Sequence, residues 1–471
     1  MIIRWVCKKC NKKWIYPIEK CMYCKGPITK QKGSELKVFG ITKVSIPSPK
    51  HPIIPYNILL LEDEFGNKMP KKTMKDYKIG DVYEQQKATT ESAVAVVKVK
   101  YDIFESIKDS LDLLNLKLSK EKILIKPSII ASAYPYQAVD TNPEFLDALI
   151  RVLFEQGISK EDILVAEQSL IGSDVMEAAA RCGILETCKK HGVVFADISK
   201  GPFEEIESDG YNFNVFKDAL GRKIINAPIM KTNFQLGISG ALENLSRLAD
   251  EKTQRKMYFD DIEETLPGLA SCLEVLTIAD ATNGMQGQGP LGIGEPAFLN
   301  LVLSSKNPSA LDSVFCESAM LPIPNYVKKC VKIEIKNIEI VGNELDALKY
   351  PIKPTIANET AHSDIKVIDG KACPACLNMM HKLTSKLVGL RGEEINLVIG
   401  PMISQDMIEG KDRLVALGDC AIKKLGSMKL EEPITKIDEN LNEIEQLVLL
   451  QKLLTTKGKP KIPLLTRSSQ K

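Results

Sequence analysis

Three sets of side chains in the 471-residue sequence could do chemistry. The first is Cys7-x-x-Cys10 followed, ten residues on, by Cys21-x-x-Cys24. Each turn of this kind brings two sulfurs to one side of a tight loop, and four thiolates satisfy a tetrahedral Zn2+. A closed four-sulfur shell leaves no open position, so the expected role is structural; a rubredoxin-type iron site and free thiols are the alternatives. The second set consists of polar residues that end or follow apolar runs: Lys126 after KILI, Glu167 after DILVA, Lys231-Thr232 after RKIINAPIM, Asp280 after VLTIA, and Asp312 on the helix opened beyond LVLSSK. The lysines suit an anionic ligand, and the carboxylates suit metal binding or proton transfer. Thr232, Ser239, Asn244 and Asp312 add polar contacts, and Gly287 and Gly289 in ATNGMQGQGPLG bring backbone N–H groups near a ligand with no side chain in between. The third set is Cys373, Cys376 and Cys420, three thiols at helix and strand ends. There the helix dipole favours the thiolate, and the readings are an iron-sulfur centre, another metal, or a redox or buried dithiol.

The elements that must position these residues are readable from hydrophobic periodicity. The stretch Arg222 to Arg247, RKIINAPIMKTNFQLGISGALENLSR, reads as a buried strand with a polar, basic end, followed by a helix opened at Ser239-Gly240. Such a junction offers donors to an anionic or oxygen-rich ligand; the plain alternative is a strand, loop and helix with a surface lysine. Upstream, AVAVVKVKY, KILIKP, DILVAEQ and VVFADI alternate with predicted helices over 103–116, 143–156 and 175–191. That order implies a largely parallel sheet with helices on both faces, whose strand ends share one rim. Lys126, Glu167, Lys231 and Asp280 are therefore expected to meet, against the alternative of separately solvated strand termini.

Five regions follow: a rubredoxin-like zinc ribbon over 1–32, an OB-type β-barrel over 33–90, an α/β domain over 92–345, an α/β extension with the cysteine cluster over 360–455, and a disordered basic tail over 456–471. Trp5 and Trp14 flank the knuckles and are expected to cover the ribbon, while His51 and His381 read as structural or surface residues. An amphipathic helix over 437–454 is expected to close the last sheet. Lys+Arg 63 against Asp+Glu 61 gives a net charge of +2, which supplies no push toward nucleic acid or an anionic membrane. The sequence shows no membrane span and no signal-peptide core, and twelve cysteines in a chain of this length imply metal or redox chemistry in a reducing, cytoplasmic setting.

The ribbon and barrel, with Pro49, Pro52 and Pro55 before a strand and Ile79-Gly80 at a corner, resemble the family catalogued as domain of unknown function 35. That resemblance implies association with a thiolase-like enzyme and contact with acyl-CoA. The α/β domain is similar to the family catalogued as domain of unknown function 362, through Ile125-Lys126-Pro127, Thr141-Asn142-Pro143, Ala166-Glu167, Pro228 with Lys231-Thr232, Ser239-Gly240-Ala241-Leu242 with Asn244-Leu245, Asp280-Ala281, the Gly287 to Gly292 loop and Asp312. Many members carry iron-sulfur modules, so the resemblance implies the same here. Three departures stand out: Ser128 replaces the family's Asn, Asn233 its His, and Leu430-Glu431-Glu432-Pro433 its Gly-Cys-Pro-Pro element. A histidine ligand or base and a fourth thiolate are thereby missing, and an iron-sulfur centre would need Cys316, Cys330, an acid or an exogenous ligand in its place. The sequence thus supports a metal-containing enzyme or redox protein that binds a small anionic ligand, or else an acyl-CoA-handling or scaffold subunit docked on a thiolase-like enzyme.

Overall fold

Antiparallel hairpins form where turn residues follow short apolar runs, and parallel strands form where helices intervene. A computed structural model describes the chain except at residues 120, 169–172, 261, 292–293, 331–334, 356–361, 388–389, 431–433, 439–440 and 457–471. Strands β1 (Ile2–Cys7), β2 (Lys13–Trp14) and β3 (Ile28–Gly33) make a three-stranded antiparallel sheet with β1 in the middle. Trp5 and Trp14 are cross-strand partners on its buried side, as their flanking positions predict. Strands β4 (Leu36–Val44), β5 (Tyr56–Asp63) and β6 (Lys68–Thr73) form an antiparallel meander, extended by a bridge between Lys37 and Val82. Burial alternates along β5, the pattern of a strand with one wet face.

The large sheet collects β7 (Val94–Lys98), β8 (Ile123–Pro127), β9 (Ile163–Glu167), β10 (Val194–Asp197), β13 (Lys223–Ala227), β16 (Val275–Gln286), β18 (Leu301–Ser305) and β19 (Ile340–Gly342). A separate hairpin, β11 (Phe203–Ser208) with β12 (Tyr211–Phe216), precedes β13, and the short strands β14 (Ile229–Asn233), β15 (Gly237–Ser239) and β17 (Glu295–Ala297) extend the rim beside β16. The spatial order is β10-β9-β8-β13-β16-β18-β7-β19. Pairing is parallel from β10 to β16, antiparallel on both sides of β18, and parallel again between β7 and β19. The parallel half matches expectation; β18 reverses because the β16–β17 ribbon turns the chain back without a crossover helix. Leu124 packs into the core on one face, Ile123 and Ile125 into the core on the other, so the sheet is covered on both sides.

Two predicted helices end differently. The 175–191 segment is two helices, Val175–Arg181 and Ile184–His191, because Gly183 between them has a φ of +84°, which glycine adopts without the penalty of a Cβ. The last helix is Glu443–Thr455, opened by a capping box between Asn442 and Glu445, while Ile437 ends a strand. That strand, β23 (Thr435–Ile437), completes a parallel sheet with β20 (Ile365–Asp369), β21 (Ile395–Ile399) and β22 (Leu414–Leu417). Phe234, just past β14, is buried in the core of this smaller unit, so the loop that follows Lys231-Thr232 docks the two α/β units together. The expected basic tail lies outside the described residues from 457 onward.

One topological feature decides where a ligand is expected. From β8 the chain proceeds to β9 and β10 on one side; from β13 it proceeds to β16 on the other. The connections diverge between β8 and β13, and in open α/β sheets the crevice at such a switch point, outside the strands' carboxyl ends, is the usual ligand site.

Candidate functional site

The amino-terminal cysteines converge. Ligand atoms of Cys7, Cys10, Cys21 and Cys24 all lie within 4.8 Å of one another, with Sγ–Sγ distances of 3.4 Å for Cys7–Cys24, 3.6 Å for Cys10–Cys21 and 3.5 Å for Cys24–Cys10. A Zn–S bond of about 2.3 Å puts tetrahedral sulfurs about 3.8 Å apart, so the donor set fits a four-coordinate ion. Backbone N–H groups of Lys9 and Cys24 donate to the sulfurs of Cys7 and Cys21 at 3.3 and 3.4 Å, which stabilises thiolate. The chain therefore has a four-cysteine cluster able to bind a metal.

At the switch point Lys126 and Glu167, from adjacent strands β8 and β9, form an ion pair of 2.6 Å in which both side chains are 0% exposed. Lys126 Nζ also donates to Pro127 O at 2.9 Å and to Asn244 Oδ1 at 3.3 Å, while Glu167 accepts from the N–H groups of Ile129 and Gln168. Burial lowers the lysine's proton affinity and raises the glutamate's; each charge opposes the shift in the other. Asn244 ties the network to β13 by donating to Lys126 O, Pro127 O and Asn226 Oδ1.

Lys231, on β14, donates to Val139 O at 2.6 Å and to Ser128 Oγ at 3.4 Å. Burial pushes it down to about 8, against the attraction of Asp140. Asp140 accepts from Ile130 N at 2.8 Å through Oδ1, whereas its buried Oδ2 has no partner, and burial pushes the carboxyl up to about 7. Asp280 accepts from both the N–H and the hydroxyl of Thr282, and Asn142 N approaches it at 3.4 Å; burial raises it to about 6. Asp312 accepts from Ala241 N at 2.6 Å and Leu242 N at 3.0 Å and so caps the short helix Ala241–Leu245, burial again raising it to about 7.

Lys126, Glu167 and Lys231 thus share one buried network, whereas Asp280 and Asp312 are engaged by partners of their own, and several of the other predicted residues have internal work. Thr232 Oγ1 donates to Gly287 O at 2.8 Å, and Ser239 Oγ accepts from Asn233 Nδ2 at 2.9 Å. Asn233, where the family has histidine, holds the turn after β14 by accepting from Gln235 N and Leu236 N. Gly289 lies against β14 so closely that a Cβ would come within 2.2 Å of Thr232 O. Gly292 lies outside the described residues. Asp140 and Arg247 were not predicted, although Asp140 directly precedes Thr141-Asn142-Pro143 and Arg247 ends the organising stretch.

The raised Asp140 carboxyl predicts a pH dependence. The folded protein holds this proton more tightly than the unfolded chain, so its contribution is full below about pH 4 and is lost as pH rises to about 7. Lys231, shifted down, has the opposite sign: its stabilisation grows as pH rises from about 8 toward the lysine reference value. Asp140→Asn should therefore gain stability over the parent between about pH 5 and pH 8, by up to a few kcal/mol, in urea unfolding followed by far-UV circular dichroism. A difference that stays constant across that range would contradict it.

In the smaller unit Cys373 caps the helix Pro374–Ser385, Cys376 is buried in its first turn, and Cys420 sits in the first turn of Asp419–Gly426. Cys373 and Cys420 lie near enough to Arg255, on the central helix Glu251–Asp260, for their charges to act on it. Among the described residues, the four amino-terminal cysteines are the group spaced for a metal ion. His381 is buried against Phe234 at a ring separation of 4.6 Å, and burial pushes it down to about 4. It is a core residue.

Among the described residues no helix is long and apolar enough to cross a membrane. No curated protein matches the chain. A solved structure described as "Ltp2-ChsH2(DUF35) aldolase" is similar to it at 17% identity and a TM-score of 0.14, over 17% of this chain and 66% of that one. Residues 123–317, which include β8, β9, β13, β14 and β16 and the whole switch-point network, match the family model described as Domain of unknown function (DUF362), the family that the central α/β unit resembles.

Proposed function

We propose that the central unit binds a small anionic molecule at the switch point between β8 and β13, and that the protein is an enzyme or redox protein of the cytoplasm. The observation that carries this reading is the convergence of Lys126, Glu167 and Lys231, from three strands, at the place where an open α/β sheet takes its ligands. Ionisable groups with opposed shifts, such as Asp140 and Lys231, are what proton transfer near neutral pH requires. Cys373, Cys376 and Cys420 would hold an iron-sulfur centre, completed by an acid or an exogenous ligand because Leu430-Glu431-Glu432-Pro433 carries no cysteine. Such a centre would supply electron transfer, and Arg255 lies beside Cys373 and Cys420.

The second reading is an acyl-CoA-handling or scaffold subunit, in which the zinc ribbon and an OB-type barrel built on β4 to β6 dock on a thiolase-like enzyme. A cavity of about 880 Å³ between the segment 74–86 that follows that meander and the central unit, lined by Tyr77, Tyr83, Val341 and Glu344 among others, favours it. Metal analysis and the visible spectrum of anaerobically purified protein separate the two. The first predicts iron and sulfide beyond one zinc per chain, with a brown colour that fades on oxidation. Colourless protein with zinc alone, eluting with an acyl-CoA enzyme, would favour the second.

A further inference from the structure

We propose that Arg247 anchors the ligand of the switch-point site, and that the group it takes is an oxyanion, the carboxylate or phosphate of a small molecule. The inference rests on the reading of this crevice as an anion site and names the residue and the chemistry that reading leaves open. Arg247 lies on the turn Ser246–Leu248, immediately after the capped helix Ala241–Leu245. Gln168, the residue after Glu167 at the end of β9, donates to Arg247 O at 2.7 Å and to Ala249 O at 2.5 Å. The arginine's backbone is thereby fixed over the carboxyl end of β9.

Its side chain is 5% exposed, yet Nε and Nη1 are buried without a hydrogen-bond partner. Its charge acts on Lys126, Glu167 and Lys231, so it belongs to the same cluster. The two lysines are satisfied inside the protein, Lys126 by Glu167 and Lys231 by Val139 O and Ser128 Oγ. Glu243, one turn before Arg247, also acts on both lysines, but it makes no ion pair with Arg247 among the described residues. A buried guanidinium group with unmade hydrogen bonds carries the desolvation cost of its donors, a cost a fold keeps where a ligand later makes those bonds. Guanidinium has only donors and stays charged, so its complement is an oxyanion rather than a cation or an apolar group.

The combination predicts an unusual pair of effects from one substitution. Arg247→Met removes unsatisfied donors and keeps an apolar stem, so the ligand-free protein should melt at the same temperature as the parent or higher. At the same time, binding of the anionic probe should weaken by about tenfold or more. The probes are inorganic phosphate and acetate, each titrated against chloride at matched ionic strength and read by thermal shift and calorimetry. Saturable binding of either by the parent, lost in Arg247→Met, supports the proposal, and the probe that binds identifies the head group. If the parent binds a probe and Arg247→Met binds it equally, while Lys231→Gln does not, the anion site stands and Arg247 is not its anchor. If the parent binds neither probe, both the site and the anchor fall. Should Arg247→Met fail to fold, Arg247→Lys keeps the charge but not the fork, and undiminished binding in that variant overturns the assignment.

Discussion

Stripping the metal from the amino-terminal cysteine cluster, or replacing Cys21 with Ser, is expected to unfold the ribbon while leaving the α/β units folded. The reason lies in the size of the ribbon's core: Ile3, Trp5, Cys7, Trp14 and Cys21 are its buried apolar residues, and two of these are ligands. So few side chains cannot offset the ordering entropy of about thirty residues at roughly 1–2 kcal/mol each. In small ribbons of this kind metal binding contributes about 10 kcal/mol or more at neutral pH, which is the folding free energy. The measurement is unusually clean, because the chain has two tryptophans, Trp5 and Trp14, and both lie in this sheet. Tryptophan emission should shift to the red on chelation and recover on adding zinc, while helical circular dichroism changes little. The shift should also release Ile3 N from the Tyr101 hydroxyl, an interaction of 3.0 Å that joins ribbon to central unit. Complete loss of the metal with emission unchanged would show that the ribbon stands on packing alone.

What could be read from sequence, and what could not, divides along physical lines. Apolar runs and their polar ends are local signals, so Lys126 and Glu167 were placed at the ends of strands that do gather in one sheet, whereas the run expected to end at Lys231 breaks at Pro228 and Lys231 falls in the middle of the short strand β14. The spacing of two CxxC turns is equally local, and the four sulfurs meet. The switch between β8 and β13 depends on strand order, which no run of residues encodes. Nor could local pattern reveal that the gathered charges are buried: Lys231 is satisfied by Val139 O, 92 residues away, and Lys126 by Glu167, 41 away. Asp312 read as a ligand contact at a helix start; the helix in fact opens at Pro308, and Asp312, a turn inside it, caps Ala241 and Leu242, 71 and 70 residues distant. Asp140 and Arg247 escaped because neither ends an apolar run. Their significance comes from unpaired atoms, visible only in three dimensions.

Breaking the Lys126–Glu167 pair from its two sides should give losses of similar size and opposite pH signature. Both groups are fully buried at 2.6 Å, and removing one partner of such a pair costs about 3–5 kcal/mol because the other charge is left uncompensated. Glu167→Gln leaves an ammonium whose proton affinity burial already lowers. The folded variant then sheds its proton more readily than the unfolded chain, so its deficit should shrink as pH rises toward the lysine reference value. Lys126→Met leaves a carboxyl that burial pushes up, which the folded state prefers protonated. Its deficit should shrink as pH falls toward the glutamate reference value. The double variant Lys126→Met/Glu167→Gln has neither charge and should recover much of the loss, since replacing a buried pair outright is often close to neutral. Ligand binding, in contrast, should not return in the double variant, because a site that has lost the Lys126 and Glu167 charges no longer orients an anion against Asn244 and Lys231. Urea midpoints between about pH 5 and pH 9 decide the matter. Losses below about 1 kcal/mol in both single variants, or slopes of the same sign, would mean that water reaches the pair. In that case the pair is hydrated despite its burial, and it does not hold a desolvated site for an anion between β8 and β13.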